Sequence, residues 1–151
     1  MQKITTFLWF ENNAEEAALF YTSVFADSEI LDVTRLPDGK TSTVTYRLFD
    51  QQYIALNGGP HFTFTEAISL YVDCADQAEV DTLWTALLAD GGMESQCGWL
   101  KDKFGLSWQI IPRDLPRLLA DPDADKANRV LQAMLKMVKI DVQALHDAAN
   151  G

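Results

Sequence analysis

The chain opens with a pattern of apolar and polar positions that predicts a strand followed by a helix. Residues 4–10 form an apolar, aromatic-rich run typical of a buried strand. Asn13 follows as a predicted helix N-cap, with Glu16 at the position of a capping box. Apolar residues then recur at the spacing that collects side chains on one helical face: Ala17, Phe20, Tyr21, Val24 and Phe25. The pattern indicates an amphipathic helix of about three turns.

Three strand candidates come next: residues 29–36, 42–49 and 53–56. The turn sequence Pro-Asp-Gly ends the first at residues 37–39, and Asn-Gly-Gly-Pro ends the third at residues 57–60. The predicted order is therefore strand, helix and three strands.

The same order then begins again. Residues 67–73 alternate as a strand, and Asp76 is a predicted N-cap with Glu79 at the box position. The second helix carries the earlier spacing of apolar residues: Val80, Leu83, Trp84, Leu87 and Leu88. Gly91 and Gly92 end it. The pattern predicts a second helix equivalent to the first.

The two patterns are in register, because Asp76 follows Asn13 by 63 residues and Val80 follows Ala17 by the same interval. Short strands predicted at residues 93–96, 98–100 and 106–111 complete the second set. We interpret residues 1–112 as an α+β fold of two βαβββ modules, at about 1–60 and 66–112.

Residues 113–151 form a helical extension outside the repeat. A short helix is expected at 114–119, a longer one after Asp123, and a last one at 142–149. The longer helix carries an apolar stripe: Ala127, Val130, Leu131, Met134, Leu135 and Val138. An exposed stripe of this size is unfavourable. We therefore expect the extension to pack on its own core or on a second subunit, with a homodimer preferred.

Charge and composition exclude several partners. The chain has 151 residues and a formal net charge of −10, so its field repels phosphate backbones and anionic lipids. It has no apolar run near the roughly 20 residues of a membrane span and no signal-peptide pattern. We expect a cytoplasmic protein that binds neither nucleic acid nor membrane. Cys74 and Cys97 lie too far apart for a CxxC motif.

Several sequence blocks together resemble the PhnB-like proteins that carry the "3-demethylubiquinone-9 3-methyltransferase" domain, within the vicinal oxygen chelate superfamily (glyoxalase, bleomycin resistance and dioxygenase proteins). The blocks are FLWF at 7–10, AEEAA at 14–18, FY at 20–21, ALNGGP at 55–60, CGWLKD at 97–102, FG at 104–105 and SWQ at 107–109. The likeness covers about residues 4–112. It implies paired modules of the glyoxalase/bleomycin-resistance type, frequent dimers and a concave site between sheets.

The resemblance also implies where a metal would bind, namely at His or Glu residues near the first strand and in the last strand of each module. This chain has Thr5, Ala67 and Gln109 at such positions, a poor donor set for a divalent cation. We therefore predict no cofactor. A metal held by His61, Glu66 and Gln109 is the alternative.

The methyltransferase label has no support in the residues. A methyl donor such as S-adenosylmethionine is commonly held by a glycine-rich turn between a strand and a helix, with an acidic residue downstream. Gly58 and Gly59 precede Pro60 and a strand, and Gly91 and Gly92 end a helix. Methyl transfer is not expected.

The candidate chemistry lies in the segment after Gln96. In a strand, Cys97, Trp99 and Lys101 share one face, and Lys101 near the thiol favours a thiolate nucleophile. These two residues are the catalytic candidates. A buried, inert cysteine and a Lys101 that serves a turn or a salt bridge are the open alternatives. The predicted ligand pocket comprises Trp9, Asn57, His61, Trp99, Trp108 and Gln109. For Trp9 a core position, and for Asn57 a turn position, are the alternatives.

The sequence favours a protein that binds a small molecule in a cleft between sheets without a full metal triad. The alternative is a lyase, isomerase or dioxygenase of the superfamily, acting through a metal or through Cys97 and Lys101.

Overall fold

The structure is a computed structural model that describes residues 2–151. The chain divides into two compact units, one ending at Phe64 and the other running from Thr65 to Gly151. The first unit contains the residues of the first predicted module. The second contains the second module together with the helical extension.

The first unit contains five elements. They are β1 (Thr6–Phe10), α1 (Ala14–Val24), β2 (Ser28–Arg35), β3 (Thr41–Leu48) and β4 (Gln51–Asn57). The sheet order is β1-β4-β3-β2, with β1 parallel to β4 and the other pairs antiparallel. Alternation along the strands places Leu8, Val44, Tyr46 and Ala55 on the buried face, which α1 covers.

The N-terminus of α1 is capped by a residue that is far away in the sequence. Asn13 occupies the predicted N-cap position, but its side chain does not make the expected capping hydrogen bond. Instead the amide N–H of Ala14 donates to Asn57 Oδ1 at 2.8 Å. The Nδ2 of Asn57 donates to the carbonyl of Thr41 at 3.1 Å. Asn57 therefore ties the end of β4 to both α1 and β3.

The second unit repeats this arrangement. Its module contains β5 (Ser69–Cys74), α2 (Gln77–Leu88), β6 (Met93–Glu94), β7 (Trp99–Lys101) and β8 (Ser107–Pro112). The sheet order is β5-β8-β7-β6, with β5 parallel to β8. Both β5 and α2 begin 63 residues after β1 and α1. The predicted α+β fold of two βαβββ modules is confirmed, and Asp76 caps α2 by accepting from the N–H of Glu79 at 2.9 Å.

Three helices follow: α3 (Asp114–Leu119), α4 (Ala124–Met134) and α5 (Val142–Asn150). They pack on the end of β8 through one apolar cluster made of Ile111, Leu115, Val130, Ile140, Leu145 and Ala149. Only part of the predicted apolar stripe packs against the rest of the chain, since Leu131, Leu135 and Val138 are exposed. Over residues 2–151, no helix has the length and apolar character needed to cross a membrane.

Candidate functional site

The second unit presents a sheet face opposite α2, which we call the open face. Buried Leu100, Trp108 and Ile110 lie on the α2 side, because α2 contacts both β7 and β8. Their neighbours along the strands therefore point to the open face. Two cross-strand rows result: Tyr71, Gln109 and Trp99 form one, and Ser69, Ser107 and Lys101 form the other.

The first row borders a cavity of about 240 Å³, which we call the aromatic pocket. Tyr71 and Trp99 supply aromatic walls, and α3 and α4 close one end with apolar side chains. The lining residues are Tyr71, Cys97, Trp99, Gln109, Ile111, Leu115, Pro116, Leu119 and Met134. The pocket is thus mostly apolar, and its polar side-chain groups are the amide of Gln109, the thiol of Cys97 and the phenol of Tyr71.

The amide of the aromatic pocket is oriented by a neighbour. Gln109 Nε2 donates to Ser69 Oγ at 2.9 Å. This bond fixes the orientation of the amide group. The carbonyl oxygen Oε1 does not take part in the bond and is able to accept a hydrogen bond from a ligand. Gln109 is therefore the polar group best placed to orient a ligand.

The rim of the aromatic pocket is anchored to the extension. Cys97 and Gly98 both have left-handed backbones, with φ of 59° and 85°. Their amide N–H groups donate to the carbonyls of Met137 and Val138, each at 2.8 Å. The positive φ of Gly98 favours glycine, and a Cβ there would also lie 2.8 Å from Ile111 Cδ1 and 3.2 Å from the carbonyl oxygen of Ile110. The thiol of Cys97 is held at the rim by backbone contacts.

A second cavity of about 210 Å³ adjoins the other row; we call it the polar recess. Its lining residues are Glu66, Met93, Glu94, Ser95, Trp99, Leu100, Lys101 and Ser107. Trp99 lines both cavities. The ammonium of Lys101 pairs with the carboxylate of Glu66, and this hydrogen bond lowers the pKa of Glu66 from its ordinary value. Lys101 thus faces Glu66 in the polar recess, while Cys97 lines the aromatic pocket, contrary to the expected pairing of thiol and amine.

Trp108 does not line either cavity. It is 2% exposed, and its Nε1 donates to Asp102 Oδ2 at 2.9 Å. The prediction that Trp108 lines the pocket together with Gln109 is wrong, because consecutive residues of a strand point to opposite faces of the sheet. Trp108 is a core residue of the second unit.

Three further residues of the expected pocket lie in the first unit. Trp9 packs over Gly58, where a Cβ would lie 2.3 Å from the indole, and its Nε1 donates to the carbonyl of Gly59 at 2.9 Å. The ring of His61 meets the edge of Trp9 with a centroid distance of 6.4 Å. The structure therefore brings Trp9 and His61 together, while Asn57 caps α1.

The residues of the open face do not fit a divalent cation. Its central side chains are neutral, and Gln109 is bonded to Ser69 while Glu66 is paired with Lys101. Within residues 2–151, no group of three or more His, Cys, Asp or Glu side chains is arranged to hold a metal ion. His61 lies beside Trp9. No step of the proposals below involves a metal.

The two cysteines differ in accessibility, and we expect them to differ in reactivity. Cys74 is buried, and burial raises the pKa of its thiol to about 12. Cys97 is half-buried and lines a cavity. Because alkylation requires the thiolate, iodoacetamide at pH 8 is expected to modify Cys97 and spare Cys74 in the folded protein.

Mass spectrometry of the intact chain should then show one adduct before unfolding and two in denaturant. The matched variants are Cys97→Ser, which should take no label while folded, and Cys74→Ser, which should label like the parent. Rapid native labelling of Cys74 would contradict this assignment.

Comparison with known proteins places the chain in a family. A model of the 3-demethylubiquinone-9 3-methyltransferase domain matches residues 2–111. The chain is 40% identical to a PhnB protein from Bacillus cereus that bears the same family name. That match covers 74% of this chain and 99% of the other, with a TM-score of 0.68. No curated protein matches the chain.

Two more distant structures share the fold. A Pseudomonas aeruginosa protein is 17% identical over 74% of this chain and 98% of its own, with a TM-score of 0.60. A fosfomycin resistance protein from Listeria monocytogenes, solved with Mn(II) and sulfate, is 15% identical over 72% and 90%, with a TM-score of 0.51. The chain belongs to the PhnB-like, 3-demethylubiquinone-9 3-methyltransferase domain family and has the fold of the vicinal oxygen chelate superfamily.

Proposed function

We propose that this protein binds a small organic molecule in the aromatic pocket and catalyses no reaction on it. The observation that carries the proposal is the pocket itself: two aromatic walls, an apolar end and one oriented amide on the same sheet face. Ligand sites are typically concave and mostly apolar, with few polar groups that fix orientation. The proposal includes the expectation of a cytoplasmic homodimer, which stays a prediction.

The lining indicates the kind of ligand. Tyr71 and Trp99 offer flat apolar surfaces, which suit a ring. Gln109 Oε1 offers an acceptor for one donor of the ligand. At about 240 Å³ the pocket is smaller than the roughly 300–1,000 Å³ of drug-sized sites, so a single ring with a short substituent fits best.

The enzymatic alternative, a lyase, isomerase or dioxygenase, has less support. A nucleophilic cysteine needs an adjacent base or cation. Lys101 is engaged by Glu66 in the polar recess rather than placed beside Cys97. The open face therefore supports binding better than chemistry.

A fragment screen by thermal shift tests the proposal, with 2-phenylethanol as the first probe. A bound ring in the aromatic pocket is expected to raise the melting temperature and to slow alkylation of Cys97, because the thiol lines the same cavity. Met134→Trp, which fills the pocket, should abolish both effects. Leu135→Trp adds the same side chain at an exposed neighbouring position and should leave them intact.

If Met134→Trp is unstable, Gln109→Leu serves as a second variant, because it keeps the volume and removes the acceptor. It is expected to weaken 2-phenylethanol binding by about tenfold. Failure of every single-ring probe to protect Cys97 would overturn the proposed function.

A further inference from the structure

The lining of the aromatic pocket offers no counter-charge to a charged ligand. Among residues 2–151, none of the side chains that line this cavity is an Asp, Glu, Lys, Arg or His. Burial and the nearby Asp73 carboxylate raise the pKa of Tyr71, so its phenol stays protonated at pH 7. In the next row of the open face, Lys101 and Glu66 pair with each other. A charged ligand would lose hydration without gaining a partner, so the lining favours a neutral one.

The orientation of the Gln109 amide determines which hydrogen bond such a ligand is able to make. Gln109 Nε2 donates to Ser69 Oγ at 2.9 Å, which leaves Oε1 as the atom that accepts from a ligand. If the amide were turned by half a rotation, Oε1 would accept from the hydroxyl of Ser69, and Nε2 would be offered instead. The observed orientation therefore favours a ligand that donates a hydrogen bond over one that only accepts.

The sheet itself places Ser69 beside Gln109. Ser69 lies in β5 and Gln109 in β8, and these parallel strands pair Ser69 with Ser107 and Tyr71 with Gln109. Both side chains project from the open face, at positions that the strand register sets rather than a loop. Ser69 does not line the aromatic pocket, so it acts on a ligand through Gln109.

We propose that the aromatic pocket selects neutral ring compounds that carry a hydroxyl donor, and that Ser69 is the positioning residue that sets this preference. The inference rests on the proposed function and narrows its ligand class to aromatic alcohols and phenols. Gln109 Oε1 accepts from the hydroxyl of the ligand, and Ser69 holds the amide so that this oxygen is the atom presented.

Three probes that differ only in their terminal group test the ligand class: 2-phenylethanol, (2-fluoroethyl)benzene and phenethylamine, which is protonated at pH 7. Their affinities are measured by NMR titration of the 15N-labelled protein at high salt, which screens the net charge of −10. The alcohol is expected to bind about tenfold more tightly than the fluorine compound, which leaves Gln109 Oε1 without a donor. The amine should bind at least about threefold more weakly than the alcohol, because its charge loses hydration in the pocket.

Variants of Ser69 test the positioning role. Ser69→Ala should weaken the alcohol by about fivefold and leave the fluorine compound unchanged, because only the alcohol uses the amide. The side-chain amide signals of Gln109 should shift in the same variant. Ser69→Thr keeps a hydroxyl and should restore both the preference and the signals. Ser23→Ala removes a hydroxyl from an exposed residue of the first unit and should leave all three affinities unchanged.

The outcomes separate this inference from the proposed function. If the fluorine compound binds as tightly as the alcohol, or the amine binds more tightly, the ligand class is refuted while ring binding in the aromatic pocket stands. Equal weakening of the alcohol and the fluorine compound in Ser69→Ala would refute the positioning role, because it would indicate a change in the shape of the pocket. If no probe binds, the proposed function fails, and this inference fails with it.

Discussion

Asp102→Ala is expected to lower the free energy of unfolding by about 3–5 kcal/mol, one of the largest effects of any single substitution in this chain. Asp102 is 3% exposed, and its carboxylate lies in the turn between β7 and β8. Its Oδ1 accepts from the N–H groups of Phe104 and Leu106 at 2.9 and 3.1 Å. Its Oδ2 accepts from Trp108 Nε1 at 2.9 Å. Alanine would leave buried donors without their acceptor.

Urea unfolding followed by tryptophan fluorescence measures this loss. Asp38→Ala is the matched control, because Asp38 also lies in a turn between strands but is exposed. Among residues 2–151 its carboxylate accepts only from the N–H of Lys40. This control substitution should lower the free energy of unfolding by less than about 1 kcal/mol. Asp102→Asn keeps one acceptor oxygen, so its loss of unfolding free energy should lie between those of Asp102→Ala and Asp38→Ala. Similar losses in Asp102→Ala and Asp38→Ala would show that the buried carboxylate contributes little.

Leu145→Ala is expected to lower the free energy of unfolding by about 2–5 kcal/mol, because it opens a cavity in the apolar cluster that packs the helical extension against β8. Leu145 is fully buried beside Val130 and Ile140. Leu135→Ala removes the same atoms from a side chain that is 51% exposed. That control should change the free energy of unfolding by no more than about 0.5 kcal/mol.

The same pair of variants tests whether the extension also joins two subunits. If Leu135 lies on a dimer interface, Leu135→Ala should lower the melting temperature, and the effect should vary with protein concentration. If the extension packs only within its own chain, the melting temperature of the parent should not depend on concentration. Equal losses in both variants at all concentrations would contradict the burial described for Leu145.

The repeat of the fold could be predicted from sequence because its signals are local. Apolar spacing and turn residues determine each helix and strand within a window of a few residues. The cap at Asp76 is confirmed because its partner, Glu79, is three residues away. The 63-residue interval then links two sets of local signals without any knowledge of tertiary contacts.

Two physical causes account for the expectations that the structure does not bear out: a contact between distant residues and the alternation of side chains along a strand. Asn57 caps α1 across 43 residues of chain, a contact that the sequence near Asn13 does not reveal. The sequence pattern predicts Trp108 in the pocket together with Gln109, but adjacent residues of a strand face opposite sides of the sheet, and Trp108 is buried in the core. The left-handed turn at Cys97 and Gly98 interrupts the strand alternation, and Lys101 instead pairs with Glu66.

The aromatic pocket combines residues from inside and outside the region that matches the family model. The family match ends at residue 111, before α3 begins, yet α3 and α4 supply Leu115, Leu119 and Met134 to the cavity wall. The sheet residues Tyr71, Trp99 and Gln109 lie within the matched region. Five of the nine lining residues thus lie within the region that matches the family model, and four lie beyond it. We therefore expect substitutions in the extension to change which ligand the proposed site accepts, even where the sheet residues stay the same.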